Sequence, residues 1–88
     1  MATLHLVNKE RALRPCLEVA AGDDAVLLLE DGVYAAVGVM APERPLHALE
    51  PDVRARGLRD RLAGHVVVVT DVQFVALVEN HRPVVTWR

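Results

Sequence analysis

The sequence predicts an α/β domain of three layers, α/β/α, built on a five-stranded and mainly parallel sheet. Three observations carry that expectation. Five short aliphatic runs, at residues 4–7, 25–29, 46–49, 66–69 and 84–85, are each bounded by turn or cap residues, as buried strands are. Helical segments fall between them, at roughly 15–21, 33–37, 51–63 and 72–79, so strand and helix alternate in the way that builds right-handed crossovers. The composition is 52% hydrophobic and only 3% aromatic, a balance that suits aliphatic strands covered on both faces.

Taken in order, the first strand ends at Asn8-Lys9. Pro15 would break a helix begun at Asn8, because it has no N–H and its ring collides with the preceding turn. An irregular entry from Asn8 to Arg14 is therefore expected before a short helix, which Gly22 closes. The second strand runs into Glu30-Asp31-Gly32, where a helix opens toward Val37. Ala41-Pro42-Glu43-Arg44-Pro45 reads as a loop stiffened by two prolines. Pro51 suits the first turn of the third helix, where its missing N–H costs nothing, and Gly64 is expected to close that helix. Along it, Asp52/Arg56 and Arg56/Asp60 are four-residue pairs that contribute about 0.2–0.5 kcal/mol each. Thr70 and Gln73 fit a capping box at the start of the fourth helix.

Eighty-eight residues are expected to form one domain, 1–88. A chain of this size buries only about two-thirds of its unfolded surface, so packing against partners is a plausible further source of stability. The formal charge of -2 and pI near 6.0 argue against direct nucleic-acid binding, which usually shows a basic footprint. The single cysteine, Cys16, permits no internal disulfide, and a cytoplasmic location is the default expectation. The first residues show no basic region leading into an apolar stretch. No segment approaches the ~18 apolar residues that span a bilayer, so neither export nor membrane contact is expected.

Cys16 is the one side chain that could carry sulfur as a persulfide. Yet Leu13, Cys16, Leu17 and Ala20 recur at i, i+3, i+4 and i+7, which places the thiol on the apolar stripe facing the sheet. There a cysteine acts as a small hydrophobe whose thiolate is disfavoured, so a structural role is expected over a catalytic one. Polar residues gather after the strands, where open α/β sheets bind ligands. Glu30, Asp31, Asp52 and Asp71 are candidates for a cation or phosphotransfer site, but carboxylates also sit at helix N-termini because the helix dipole favours them there. Neither GxGxxG, a P-loop nor GxSxG is present. His5, His47, His65 and His81 share no metal-ligand spacing, so no metal and no cofactor are expected. Arg54, Arg56, Arg59 and Arg61 form either a solvated helix face or a docking surface for an acidic partner.

The run Leu28-Leu29-Glu30-Asp31-Gly32-Val33-Tyr34-Ala35-Ala36 joins a strand to a helix with an uncommon residue string. Together with Leu4-His5-Leu6-Val7-Asn8-Lys9, Gly22-Asp23, Ala48-Leu49-Glu50, Ala55-Arg56-Gly57-Leu58, Asp71, Phe74-Val75 and Trp87, it resembles the TusB/DsrH family of sulfur-relay subunits. The resemblance implies a non-catalytic subunit working with homologous TusC/DsrF-like and TusD/DsrE-like partners in a heterohexamer. It implies that sulfur arrives through a small carrier protein and serves either 2-thiolation of a tRNA wobble uridine or sulfur oxidation. It also implies that the sulfur-carrying cysteine belongs to a partner subunit, the alternative being Cys16 itself as persulfide acceptor. A stand-alone oligomeric module is the remaining alternative. Compared with the family, the stretch between Ala36 and Leu46 is short, and Pro42 and Pro45 give it a different character. From the residues themselves, Glu30, Asp31, Gly32, Val33 and Tyr34 form a candidate interface, since a polar turn beside a tyrosine suits partner recognition, the alternative being that Asp31 caps the helix and Tyr34 covers its own core.

Overall fold

The computed structural model describes residues 1–38 and 44–88. Residues 41–43 of the expected proline-stiffened loop lie outside that set. Among the described residues, five strands form one sheet: β1 (Leu4–Val7), β2 (Ala25–Leu28), β3 (Leu46–Leu49), β4 (Val66–Val69) and β5 (Val84–Trp87). Their order is β4-β3-β2-β1-β5, and every neighbouring pair is parallel. Among the described residues, three α-helices accompany them: α1 (Leu13–Val19), α2 (Glu50–Ala55) and α3 (Asp71–Glu79). The expected α/β class and parallel sheet are therefore observed. Strand β5 runs two residues beyond the apolar pair Val84-Val85, because Thr86 and Trp87 pair with Leu6 and Val7 of β1.

Pro15 is accommodated as the third residue of α1, within the first turn, where a backbone N–H has no helical partner to lose. The irregular entry before it is a 3-10 turn at Glu10–Ala12. Gly22 does not close this helix. Ala20 turns the backbone to an extended conformation directly after Val19, and Gly22 lies in the turn that follows.

The third helix departs most from expectation. It stops at Ala55 rather than near residue 63, and Gly57, not Gly64, ends it. Gly57 takes φ 64° and its N–H donates to the Arg54 carbonyl, while the Leu58 N–H donates to the Val53 carbonyl at 3.1 Å. These two bonds and the left-handed glycine make a Schellman closure. Its product is a reversal that drives Leu58 into the core at 4% exposure. Arg59–Arg61 then forms a separate 3-10 turn, so Asp60 no longer lies on the helix with Arg56.

The segment after β2 is also not α-helical. Glu30–Ala36 is a 3-10 run whose first residue has φ 51°. Its tight winding is visible in the Gly32 N–H bond to the Leu29 carbonyl at 2.9 Å.

Apolar side chains divide between two sides of the sheet. On one, Val7, Val26, Leu28, Leu46 and Ala48 pack against Ala12, Leu13, Cys16, Val33, Ala36, Val53 and Leu58. On the other, Leu4, Leu27, Leu49 and Val69 meet half-buried Phe74 and Leu77 of α3. The helix α3 starts in the expected capping box: the Gln73 N–H donates to Thr70 Oγ1 at 3.2 Å, and the Thr70 N–H donates to Gln73 Oε1 at 2.8 Å.

Candidate functional site

At the carboxyl end of β2, the chain must turn sharply against β1, and this close approach dictates its residues. A Cβ on Gly32 would overlap the Val7 carbonyl oxygen, so only glycine fits there. Two residues earlier, Glu30 adopts the left-handed conformation that non-glycine residues rarely take, a strain of about 1–2 kcal/mol. Contacts with α2 hold it. Asp52 Oδ2 accepts the Glu30 N–H at 2.8 Å. Arg56 donates to Asp31 Oδ1 from Nε at 3.0 Å and from Nη2 at 2.9 Å, and to the Asp52 carbonyl at 3.2 Å.

Of the five residues singled out in this turn, Gly32 and Val33 are buried, and Glu30, Asp31 and Tyr34 reach solvent. Tyr34 lies between two surface clefts. One, of about 550 Å³, is lined by Glu10, Leu13, Arg14, Leu17, Glu18 and Ala35; the other, of about 460 Å³, by Glu10, Val37, Leu58 and Arg61. The turn thus presents one aromatic ring flanked by apolar floors with charged rims.

Cys16 is fully buried on α1 among the residues beneath that sheet face. Burial pushes its thiol up to about 11; the Arg44 charge works in the opposite direction and Asp24 adds to the rise. At neutral pH the thiol is protonated and shielded, which leaves it a poor nucleophile.

The four candidate carboxylates do not converge. Asp52 and Asp31 are engaged as described, and Asp71 opens α3. Among the described residues no three His, Cys, Asp or Glu side chains come together in a metal-binding group. The arginines lie on α2 and on the turn that follows it, not on one continuous helix. Arg54 and Arg59 approach Glu50 at 3.4 and 3.9 Å, Arg56 faces Asp31, and Arg61 borders the second cleft beside Tyr34.

A polar cluster escaped the sequence reading. Buried His5 meets Asp24 Oδ2 through Nε2 at 2.9 Å, and its Nδ1 accepts the Trp87 indole N–H at 3.0 Å. Since the indole can only donate, Nδ1 carries no hydrogen, and His5 Nε2 donates to Asp24 in its neutral tautomer. Asp24 also accepts the N–H groups of Thr3 and Ala21. The hydrogen bond from His5, followed by those from Thr3 and Ala21, lowers its carboxyl to about 2. Arg44 completes the cluster by donating to the carbonyls of Ala21 and Asp24. His5 and Trp87 are 82 positions apart, and no local spacing announces such a pair.

His47 behaves differently. Its Nδ1 is buried without a hydrogen-bond partner among the described residues, and burial followed by the His81 charge lowers its pKa. His81 itself lies against the Leu77 carbonyl at 2.7 Å.

The chain is thus a parallel five-stranded α/β domain whose one thiol is buried and whose strained turn at the carboxyl end of β2 exposes a tyrosine. The family model described as "DsrH like protein" matches residues 7–84. Among curated proteins, the chain is 35% identical over 82 residues to Protein TusB of Sodalis glossinidius, covering 85% of this chain and 86% of that one. It is 37% identical over 75 residues to Protein TusB of Serratia proteamaculans, with 77% and 78% covered. It is 35% identical over 71 residues to Protein TusB of Pectobacterium carotovorum, with 73% and 75% covered. The chain belongs to the DsrH/TusB family.

Proposed function

We propose that this chain is a non-catalytic subunit of a sulfur-relay assembly, contributing structure and docking surface while another subunit carries the sulfur. Membership of the DsrH/TusB family supports the sulfur-relay role, with 2-thiolation of a tRNA wobble uridine as the favoured output because the similar curated proteins are TusB. Companions of the TusC/DsrF and TusD/DsrE type, two copies of each subunit in a heterohexamer, and a small sulfur carrier complete the reading. A lone thiol suits a reducing compartment, which supports the cytoplasm as the site of the assembly.

The single observation that carries the non-catalytic role is Cys16: fully buried, with its thiol raised to about 11. Persulfide transfer needs a reachable thiolate, and neither condition is met here. The turn at Glu30–Tyr34 supplies the docking surface in this reading, with Tyr34 as anchor and the clefts on either side receiving partner side chains.

Co-expression with the two homologous subunits tests the proposal. Cys16→Ala is expected to leave sulfur transfer by the assembly within about threefold of the unsubstituted protein, under one kcal/mol of barrier. Rapid alkylation of the native thiol near neutral pH, or a hundredfold loss of transfer in the variant, would overturn it. Tyr34→Ala is expected to weaken subunit binding while the isolated chain stays folded.

A further inference from the structure

The helix α3 is apolar nearly all the way round. Phe74 and Leu77 turn toward the sheet, while Val72, Val75 and Val78 stand 80%, 53% and 39% exposed, and none of its nine residues is buried. A helix of that composition is ordinarily an interior one. A five-stranded sheet is about 24 Å across and a helix about 10–12 Å thick, so α3 alone cannot cover its side. Val67 on β4, at one margin, is 52% exposed, and Val84 on β5, at the other, is 40% exposed.

What covers this surface is indicated by charge. Within α3 the only ionised side chains are Asp71 at the first position and Glu79 at the last, both exposed and neither in an ion pair among the described residues. They lie about 12 Å apart along the axis. The nearest Lys or Arg in sequence, Arg82, is beyond the helix, as is His81, whose ring lies against the Leu77 carbonyl. Val75 is the midpoint between the two acids. Antiparallel docking of a second copy would therefore set Asp71 against Glu79 at both ends, and parallel docking would set each acid against itself. Like charges across an interface suppress that pairing.

We infer that α3 is a docking helix for a different polypeptide, whose complementary element is an apolar helix carrying a Lys or Arg toward each end. The inference rests on the assembly reading above and adds to it a surface on the opposite side of the sheet from Cys16.

Two synthetic helical peptides with one shared aliphatic stripe, one ending in lysines and the other in glutamates, serve as probes for the full chain in fluorescence anisotropy. The lysine-ended peptide is expected to bind about tenfold more tightly, as two rim pairs allow, and Asp71→Lys/Glu79→Lys is expected to reverse the preference. Hydrogen exchange on natively purified protein is expected to show residues 71–79 protected relative to the isolated chain. Equal binding of the two peptides, or sedimentation showing self-association blocked by Val75→Asp, overturns the inference. If native protein arrives with companions while α3 exchanges as freely as in isolation, the docking helix is wrong and the assembly reading stands. If it arrives alone, the assembly reading fails and the peptide comparison decides α3 by itself.

Discussion

The two sides of the sheet differ in how they are finished. Beneath α1, α2 and the 3-10 turns, Val7, Val26, Leu28 and Leu46 are fully buried, and the connecting segments send Cys16, Val33 and Leu58 down to meet them. Beneath α3, Leu4, Leu27, Leu49 and Val69 are buried, but Val67 on β4 and Val84 on β5 stand 52% and 40% exposed at the two margins. The contrast separates two uses of aliphatic side chains. On the first side they set the stability of the chain; on the second, a good part of them is held at the surface, where they contribute little until something covers them.

Substitutions that probe each side in the isolated chain are the strongest way to break this contrast. Leu28→Ala, at a fully buried position, is expected to lower the unfolding free energy in urea by about 3 kcal/mol, whereas Val75→Ala should stay within about 0.5 kcal/mol. Comparable losses at the two sites would show that α3 is already part of a finished core. Next in size is Trp87→Phe, which removes the indole N–H and leaves buried His5 Nδ1 without its donor. A loss of about 2 kcal/mol is expected from equilibrium unfolding. Glu30→Gly acts the other way: it releases the left-handed strain at φ 51°, and thermal unfolding should report a gain of about 0.5–1 kcal/mol. If the same variant also weakens partner binding, the strain belongs to the docking geometry of the turn.

Acid should produce the gentlest change. Asp24 is held at about 2 in the folded chain against an ordinary value of 3.8. Because the folded value is the lower one, its contribution is present above pH 4 and is lost as pH falls from about 4 to about 2. An unfolding series across that window should show stability declining, and Asp24→Asn should remove the part of the slope that this carboxyl supplies.

Much of the architecture is legible in the sequence because it is written in local pattern. The strand runs, the Thr70/Gln73 box and the first-turn Pro51 each concern residues within a few positions of one another, and each is observed. A helix over 51–63 is what the periodicity suggests, since it continues past Ala55. What stops the helix is Gly57 taking a left-handed conformation so that Leu58 can enter the core, a tertiary gain that outweighs helical continuation. The 3-10 winding at Glu30–Ala36 likewise follows from the approach of Gly32 to the β1 backbone, which no reading of the turn alone contains. The candidate site is half legible. Tyr34 at an exposed turn can be anticipated, but the Asp31–Arg56 clasp joins residues 25 positions apart, and the His5–Asp24–Trp87 cluster joins all but the ends of the chain.

The placement of β5 has a consequence for how the molecule comes into being. Strand β1 is flanked by β2 on one side and by β5 on the other, and Leu4 pairs with Val84. Closing that seam brings together residues about eighty positions apart, a loop whose entropy must be overcome before any ladder bond rewards it. During synthesis, the β1 edge therefore stays open until β5 has emerged, and a ribosome-bound chain lacking β5 would offer an unpaired aliphatic edge to its neighbours. The single indole in the chain sits at that seam, so its fluorescence follows the closing step directly.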